Sequence, residues 1–588
     1  MMAHYIDEAN LGRSFFEMAD RHASKPLLFD KSAEGWGHQT YAEIAIKVRN
    51  LAGHLHQMGI GVSDRVVICG ENRSEWAIAD LAVLSMGAVS VPAYTTNTVD
   101  DHDYIISHSQ ASLVICTGGM TGQRMYEAVR NQKSHVPFIC FDSLEDVQPL
   151  SVDDASTEGF IPFSRLVAEQ PAEDIIDTAL AAQSPDDMCC IIYTSGTGGR
   201  PKGVMLTHRS IQSNITAAME LLAEGGATDE ARFLSLLPLS HSYEHTAGMY
   251  LPFQIGAEVW YCEGADKIAA NLEEVGPTVM TAVPRLYEVL HDRITKGVKA
   301  KGGLTETLFT QAVRLGRKKL AGESLSVLES LLDRLVDRLV RTKMKKRLGG
   351  RLKYFVSGGA ALNPDIGHFF LALGVDILQG YGQTEASPLI SANRPHKIRI
   401  ETVGPVVGGV EVKLSDAGEL LARGDCIMKG YWRDEKATSE TLKQGWLYTG
   451  DLAEISDDGY ISITGRKKDI IVNSGGDNIA PSRVEAQLTI EPEIEQVMVS
   501  GDKRPYLAAV IVPSEDVLKL GETKAQKAAI QAAVTRANER LSQLEKIRKF
   551  IIASEAFTVD NSQMTPTLKV RRHIVGDLYK SQLDGLYR

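Results

Sequence analysis

The order of short apolar runs and helical stretches between residues 65 and 116 limits the fold more than any other feature. Arg65-Val66-Val67-Ile68-Cys69 reads as a strand and residues 76–86 as a helix closed by Gly87. Val89-Ser90-Val91-Pro92 and Ala111-Ser112-Leu113-Val114-Ile115-Cys116 read as two more strands. Strand, helix, strand in that order predicts βαβ units and a mainly parallel sheet, because a helical crossover returns the next strand in the same direction. The alternation runs on to about residue 290, broken by a polar, acidic stretch at 142–187 that reads as a surface excursion. Residues 400–465 change to short strands and turns, and the last ~120 residues mix helix and strand patterns as a small domain would. The length, 588 residues, sets a ceiling of about four domains. The patterns reduce it to two units, residues 1–465 and 466–588.

Bulk composition excludes several classes. With 63 basic and 75 acidic residues the net charge is −12, which argues against a nucleic-acid partner. Seven cysteines without C-x-x-C spacing give neither a disulfide framework nor a zinc site, and Cys189-Cys190 falls in an apolar run that reads as buried strand. The N-terminus lacks a basic segment followed by an apolar one, and no apolar run reaches the ~20 residues that span a bilayer. The expectation is a soluble, cytoplasmic protein.

The average charge hides a reversal. Residues 293–353 hold seventeen Lys and Arg against five Asp and Glu, on helical patterns. Over 328–348 the spacing puts Leu331, Leu332, Leu335, Leu339 and Met344 near one face, with Arg334, Arg338, Arg341, Lys345 and Lys346 elsewhere. This reads first as a packed helix with a solvated charged face. It reads second as a basic amphipathic helix making peripheral contact with an anionic membrane.

Three segments carry chemistry. Thr194, Ser195, Gly196, Thr197, Gly198, Gly199 and Lys202 form a loop of glycines, hydroxyls and one cation after a strand. Backbone N–H groups, hydroxyls and the ammonium can converge there on a phosphate. It is not a Walker loop, since Pro201 and Gly203 stand where that loop has its glycine and its metal-binding hydroxyl. In Gln379-Gly380-Tyr381-Gly382-Gln383-Thr384-Glu385, a glycine-flanked ring suits a purine and the carboxylate suits Mg²⁺, although a structural turn with a solvated Glu has the same sequence. In Tyr448-Thr449-Gly450-Asp451, the carboxylate can accept both hydroxyls of a ribose, or simply cap a turn.

Taken together and in order, these segments resemble the adenylate-forming superfamily of acyl-CoA synthetases, amino-acid adenylation domains and luciferases. Leu237-Pro238-Leu239-Ser240-His241, Ser357-Gly358-Gly359-Ala360, Gly465-Arg466-Lys467-Lys468-Asp469 and Thr565-Pro566-Thr567-Leu568-Lys569 extend the likeness over nearly the whole chain. Val283-Pro284-Arg285, the basic helical region, Pro388 and the Thr-Pro-Thr-Leu-Lys ending are most similar to bacterial long-chain fatty acid–CoA ligases. The resemblance implies an α/β fold: a large N-terminal domain of two αβ-layered subdomains plus a β-rich one, and a small mobile α+β C-terminal domain. It implies ATP, Mg²⁺ and coenzyme A, a fatty acid substrate, and two half-reactions through an acyl-adenylate.

The implied roles are specific. Thr194 and Glu385 hold the metal; Ser195, Gly196, Thr197, Gly198 and Lys202 hold phosphates. Gly358, Gly359, Ala360, Gly380, Tyr381, Gly382, Gln383 and Thr384 form the adenine site. Asp451 and Arg466 grip the ribose, and Lys569 bridges carboxylate and α-phosphate. His241 either lines the carboxylate end of the acyl site or packs in the core. Lys468 is the hinge, and Ser474, Gly475 and Gly476 pass the pantetheine arm of coenzyme A. Gly198 departs from the family, which usually has a hydroxyl residue there, and implies weaker ATP binding. The alternatives are a ligase that loads a carrier protein, a medium-chain or aromatic acid–CoA ligase, and a degenerate nucleotide-binding protein.

Overall fold

A computed structural model describes residues 10–133, 135–142, 160–194, 200–226, 228–559, 561–565 and 569–588. Two eight-stranded sheets dominate. In the first, the order is Leu389–Ala392, Asp376–Gly382, Tyr354–Ser357, Val279–Ala282, Arg232–Ser235, Glu258–Tyr261, Pro26–Ser32, Gly35–Thr40. Its interior is parallel, and each edge carries one antiparallel strand. The second runs Gly430–Tyr431, Lys202–Thr207, Met188–Thr194, Val89–Ala93, Arg65–Cys69, Ala111–Cys116, Phe138–Cys140, Phe160–Pro162. It is parallel from Met188–Thr194 onward. The strands expected at 65–69, 89–92 and 111–116 are there.

The helix Ser74–Ser85 is buried on every side except at Glu75. Its apolar residues run around the whole circumference, as a helix enclosed by a core requires. It shares one apolar cluster with residues of both sheets and with the helices Leu11–Arg21 and Tyr41–Gln57. Inside this cluster Asp80 accepts from the Tyr250 hydroxyl at 2.5 Å and pairs with His245 Nε2 at 3.0 Å, all fully buried. Burial opposes the charge on Asp80, but the His245 and Tyr250 contacts outweigh it and hold the carboxyl below its ordinary range.

Residues 160–182 are more than a surface excursion. They form the edge strand Phe160–Pro162 and the helices Phe163–Ala168 and Ile176–Ala182. Phe163, Leu166, Ile176 and Leu180, at helical spacing, anchor those helices in the core. The polar residues between them obscure that period.

The third sheet holds Val410–Leu414, Glu419–Gly424, Trp446–Ile455 and Leu442–Lys443, with Ile461–Arg466 paired to Trp446–Ile455. It is the expected β-rich module. Residues 403–405 stitch it to the first sheet. Val403 N–H donates to the Ile461 carbonyl at 2.8 Å, Ile461 N–H to Gly404 O at 3.0 Å, and Ala392 N–H to Pro405 O at 3.2 Å. Beyond residue 466 lies a small unit with the hairpin Ile471–Val472 and Asn478–Ile479, a sheet of Ile494–Ser500, Leu507–Pro513 and Ile547–Ile552, and flanking helices with their own apolar clusters. It meets the larger unit through polar contacts: Arg285 pairs with Glu495, and Asn363 Nδ2 donates to the Ala486 carbonyl at 3.0 Å. No helix among the described residues is long and apolar enough to cross a membrane.

Gly404 has φ +78°, and a Cβ there would lie 2.0 Å from the Ala392 carbonyl carbon. Gly404→Ala should therefore force apart the stitched strands. The expected loss is at least about 1–3 kcal/mol, read as a lower midpoint in urea unfolding.

Candidate active site

The C-terminal ends of the first sheet's parallel strands, the edge of the third sheet and the start of the small unit converge on one region. The strand Asp376–Gly382 continues through Gly380, Tyr381 and Gly382, paired antiparallel to Leu389–Ala392. The expected glycine turn is thus a strand, and the chain turns only at the 3₁₀ segment Thr384–Ala386. Gly382 is required by proximity, since a Cβ would stand 1.9 Å from the Pro388 carbonyl oxygen. Gln379, buried behind the strand, accepts from Leu362 N–H at 2.8 Å and donates to the Ile400 and Thr402 carbonyls at 2.9 and 3.0 Å.

Tyr381 donates its hydroxyl to Asp451 Oδ2 at 2.6 Å, while Arg466 Nε stands 3.2 Å from Oδ1. Asp451 and Arg466 are direct partners in the antiparallel ladder. The register of two strands therefore places the ion pair. Burial raises the Asp451 carboxyl above its usual value, against the pull of Arg466 and the Tyr381 hydrogen bond. Thr449 caps this turn, donating to Leu420 O at 2.7 Å and accepting from Asp451 N–H at 3.1 Å.

Glu385 accepts from the Tyr431 hydroxyl at 2.8 Å through Oε1. Lys202 sits over the Tyr431 ring, 4.7 Å from its centroid. The lysine of the glycine-rich loop and the carboxylate of the heptad are thereby brought together, with Tyr431 between them. Tyr431 is missed from sequence; the only hint is that Gly430 precedes it. Thr194 ends the strand Met188–Thr194 opposite Lys202. Ser195, Gly196, Thr197 and Gly198 lie outside the described residues, as do residues 566–568.

Segment 241–250 forms the floor. His241 Nδ1 accepts from Tyr243 N–H at 3.1 Å, which leaves the proton of a neutral ring on Nε2. Burial, then the nearby Lys569 charge, lowers His241 to about 4. Its partial exposure inside surrounding protein is that of a cleft wall and not of a packed core. Tyr243 donates to Val356 O at 2.8 Å and lies against Gly358. Gly359 and Ala360 come next, exposed, at the strand end. Glu244, fully buried, accepts from Ser235 Oγ at 2.7 Å and Thr281 Oγ1 at 2.6 Å. It too is missed from sequence, though it stands three residues after the motif histidine.

The small unit delivers Lys569. Burial and Arg466 lower its ammonium from the ordinary lysine value, while Asp451 and Glu385 pull it back up. The side chain retains solvent access. Exposed surface with protein crowded around it describes a residue reaching into a cleft. Lys468 is exposed in the turn just after Arg466, and Lys467 beside it is anchored by Glu419 Oε2 at 3.0 Å and by Gly450 O. Ser474, Gly475 and Gly476 lie in the exposed tip of the hairpin Ile471–Val472/Asn478–Ile479, away from this cluster in sequence and organised by Asn473.

The donor set suits a nucleotide and one hard cation. Among the described residues no cluster of three metal-ligating side chains occurs. Mg²⁺ does not need one, taking one or two carboxylates plus phosphate oxygens and water. Glu385 has one oxygen held by Tyr431 and the other without a described partner.

Burial raises Glu244 to about 7, against the two hydroxyl donors. The folded chain therefore holds this proton more tightly than the unfolded one, and stability is lost as pH rises from the unfolded value through about 7. Glu244→Gln should gain on the parent in urea-unfolding free energy between about pH 5 and pH 8, by on the order of 3 kcal/mol. A difference independent of pH would contradict a protonated Glu244.

Residues 15–432 match the family described as AMP-binding enzyme, and residues 468–588 match the AMP-binding enzyme C-terminal domain. A long-chain fatty acid–CoA ligase of Mycobacterium bovis is 33% identical over 95% of this chain and 94% of its own length. Fatty acyl-CoA synthetase A of Dictyostelium discoideum is 29% identical over 96% and 88%. Among solved structures, an anthranilate CoA ligase bound to anthranoyl-AMP superposes with a TM-score of 0.74 at 20% identity, over 99% of both chains. The adenylation domain of a carboxylate reductase from Mycobacterium chelonae gives 0.76 at 22%, over 98% and 91%.

Proposed function

We propose that this chain, which belongs to the AMP-binding enzyme family, activates a long-chain fatty acid with ATP and transfers the acyl group to coenzyme A. The observation that carries the proposal is the delivery of Lys569 by the C-terminal unit into the field of Arg466, Asp451, Glu385 and His241. The likeness to long-chain fatty acid–CoA ligases over almost the full chain supports the substrate class.

In the first half-reaction the acid's carboxylate attacks the α-phosphorus of ATP and diphosphate leaves. Two anions must meet, so positioned positive charge is the main need. Lys569 bridges the incoming carboxylate and the α-phosphate. Lys202 faces the outer phosphates. Asp451, paired with Arg466, accepts the ribose hydroxyls, and the Tyr381 ring packs on adenine. Neutral His241 forms part of the wall at the acyl carboxylate and adds no charge there. Thr194 and Glu385, with Glu385 oriented by Tyr431, would hold Mg²⁺, which neutralises phosphate charge when bound. In the second half-reaction the thiol of coenzyme A attacks the acyl carbonyl and AMP leaves. The unit beyond Lys468 turns at that residue, withdrawing Lys569 and bringing the tip at Ser474, Gly475 and Gly476 to the site.

A panel of carboxylic acids with ATP and coenzyme A, read for thioester, tests the assignment. Long-chain acids should give acyl-CoA, AMP and diphosphate. Adenylate without thioester would point to a carrier-protein acceptor, and no product with any acid would defeat the enzymatic reading. Lys569→Ala should lose adenylation yet still convert supplied acyl-adenylate to thioester.

Because Lys569 is lowered by burial and Arg466, adenylation should fail at a pH below the ordinary lysine range. Lys569→Arg, whatever activity it retains, should move that alkaline limb upward. Tyr431→Phe should raise the KM for Mg²⁺–ATP about tenfold, the scale of one hydrogen bond to a charged group, with unchanged unfolding midpoint.

A further inference from the structure

The basic helical region does not pack as its spacing suggests. The helix Val327–Val336 passes through a five-residue π turn, Asp337–Arg341, into the helix Thr342–Arg347. A π turn inserts extra residues into the helical repeat and rotates the succeeding helix about its axis. Leu332 and Val336 of the first helix face the domain core, and through and beyond the π turn Val340 and Met344 stay on that side. Arg341, expected on the solvated side, is carried inward. It is 4% exposed, donates to Ala372 O at 3.0 Å and Ala312 O at 2.9 Å, and pairs with Asp333 at 2.8 Å.

The remaining leucines form a second apolar row. Leu328 (79% exposed), Leu331 (57%), Leu335 (48%) and Leu339 (40%) succeed one another at intervals of three or four and have no core to cover. Seven of the seventeen large apolar side chains exposed among the described residues fall between residues 304 and 339. Five of these, Val327, Leu328, Leu331, Leu335 and Leu339, lie on this one helical stretch, a concentration that marks an interaction surface.

Charge identifies the partner. Glu329 is taken by Arg314 and Lys318, and Asp333 by Lys319 and Arg341. The acids of the helix Val327–Val336 are thus consumed on its inner side, and the exposed Asp337 of the π turn stands 3.6 Å from Arg341. Arg334, Arg338 and Lys343 are exposed and have no ion pair among the described residues. Each lies one turn from a leucine of the row: Arg334 from Leu331, Arg338 from Leu335, Lys343 from Leu339. Lys346 and Arg347, also exposed, extend the series.

We propose that this leucine row and its flanking cations dock the protein on the surface of an anionic lipid bilayer. The leucines enter the interface between headgroups and acyl chains, and the cations meet lipid phosphates. A protein partner would satisfy the leucines equally well, but the exposed cations Arg334, Arg338, Lys343, Lys346 and Arg347, against Asp337 as the one exposed acid of residues 327–347, match an anionic plane. None of these residues is among the described partners of Asp451, Glu385 or Lys569. The inference rests on this surface alone and not on the proposed reaction.

Sedimentation of the full chain with vesicles tests it, using phosphatidylcholine alone and phosphatidylcholine with phosphatidylglycerol. The protein should co-sediment with the anionic vesicles at low salt and be released as salt rises. The triple variant Leu331→Ser, Leu335→Ser, Leu339→Ser should weaken that binding at least tenfold, and Arg334→Glu with Arg338→Glu should abolish it. Adenylation of a water-soluble acid, measured without vesicles, should be unchanged in both and certifies their folding. Equal binding by parent and variants, or no binding to anionic vesicles, would overturn the proposal. So would a dimer in analytical ultracentrifugation that the serine variant dissolves, because the row would then be covered by a second copy of the chain.

Discussion

The site is organised around one buried carboxylate, Asp451, on which three parts of the chain converge. Tyr381 comes from the first sheet, Asp451 and Arg466 from the third, and Lys569 from the small unit. Each contributes a hydroxyl, an opposite charge or a field that offsets the desolvation of that carboxylate. The ladder register that seats Asp451 opposite Arg466 is therefore a folding constraint that also fixes where these two charges meet.

The core beneath answers a different constraint. Two large sheets need a filler that is apolar on every face, and the helix Ser74–Ser85 supplies it. Asp80, His245 and Tyr250 are the polar exception, fully buried and mutually bonded. Such a pairing fixes the orientation of segment 241–250, and through it His241 and Tyr243 acquire fixed positions at the top of the first sheet.

Much of this is legible from the chain alone, for identifiable reasons. The parallel strands around 65–116 announce themselves because buried strands are continuous apolar runs. Asp451, Glu385 and Arg466 stand out because a glycine or small residue precedes each, and Lys569 because it closes the Thr-Pro-Thr-Leu-Lys ending. Tyr431 and Glu244 do not. Their roles arise from contacts with Glu385, Ser235 and Thr281, which neighbouring sequence does not encode. Segment 379–382 reads as a turn because glycine usually breaks strands; here Gly382 serves the close approach of Pro388. Period counting groups Leu331, Leu335 and Leu339 with Leu332 and Met344 because the apolar stripe is wider than the face that meets the core, and only beyond residue 336 does a π turn alter the phase and carry Arg341 inward.

The anchoring of Lys467 has a further consequence. Its ammonium is tied to Glu419 and its amide to Gly450, both on the large unit, while Lys468 beside it is held by neither. The last tie to the large unit thus ends within a single peptide, with Arg466 on its near side. Under the proposed two-step reaction, a turn beginning at Lys468 would leave the Asp451–Arg466 pair undisturbed, so an intermediate held there in one posture would still be in hand when the next arrives.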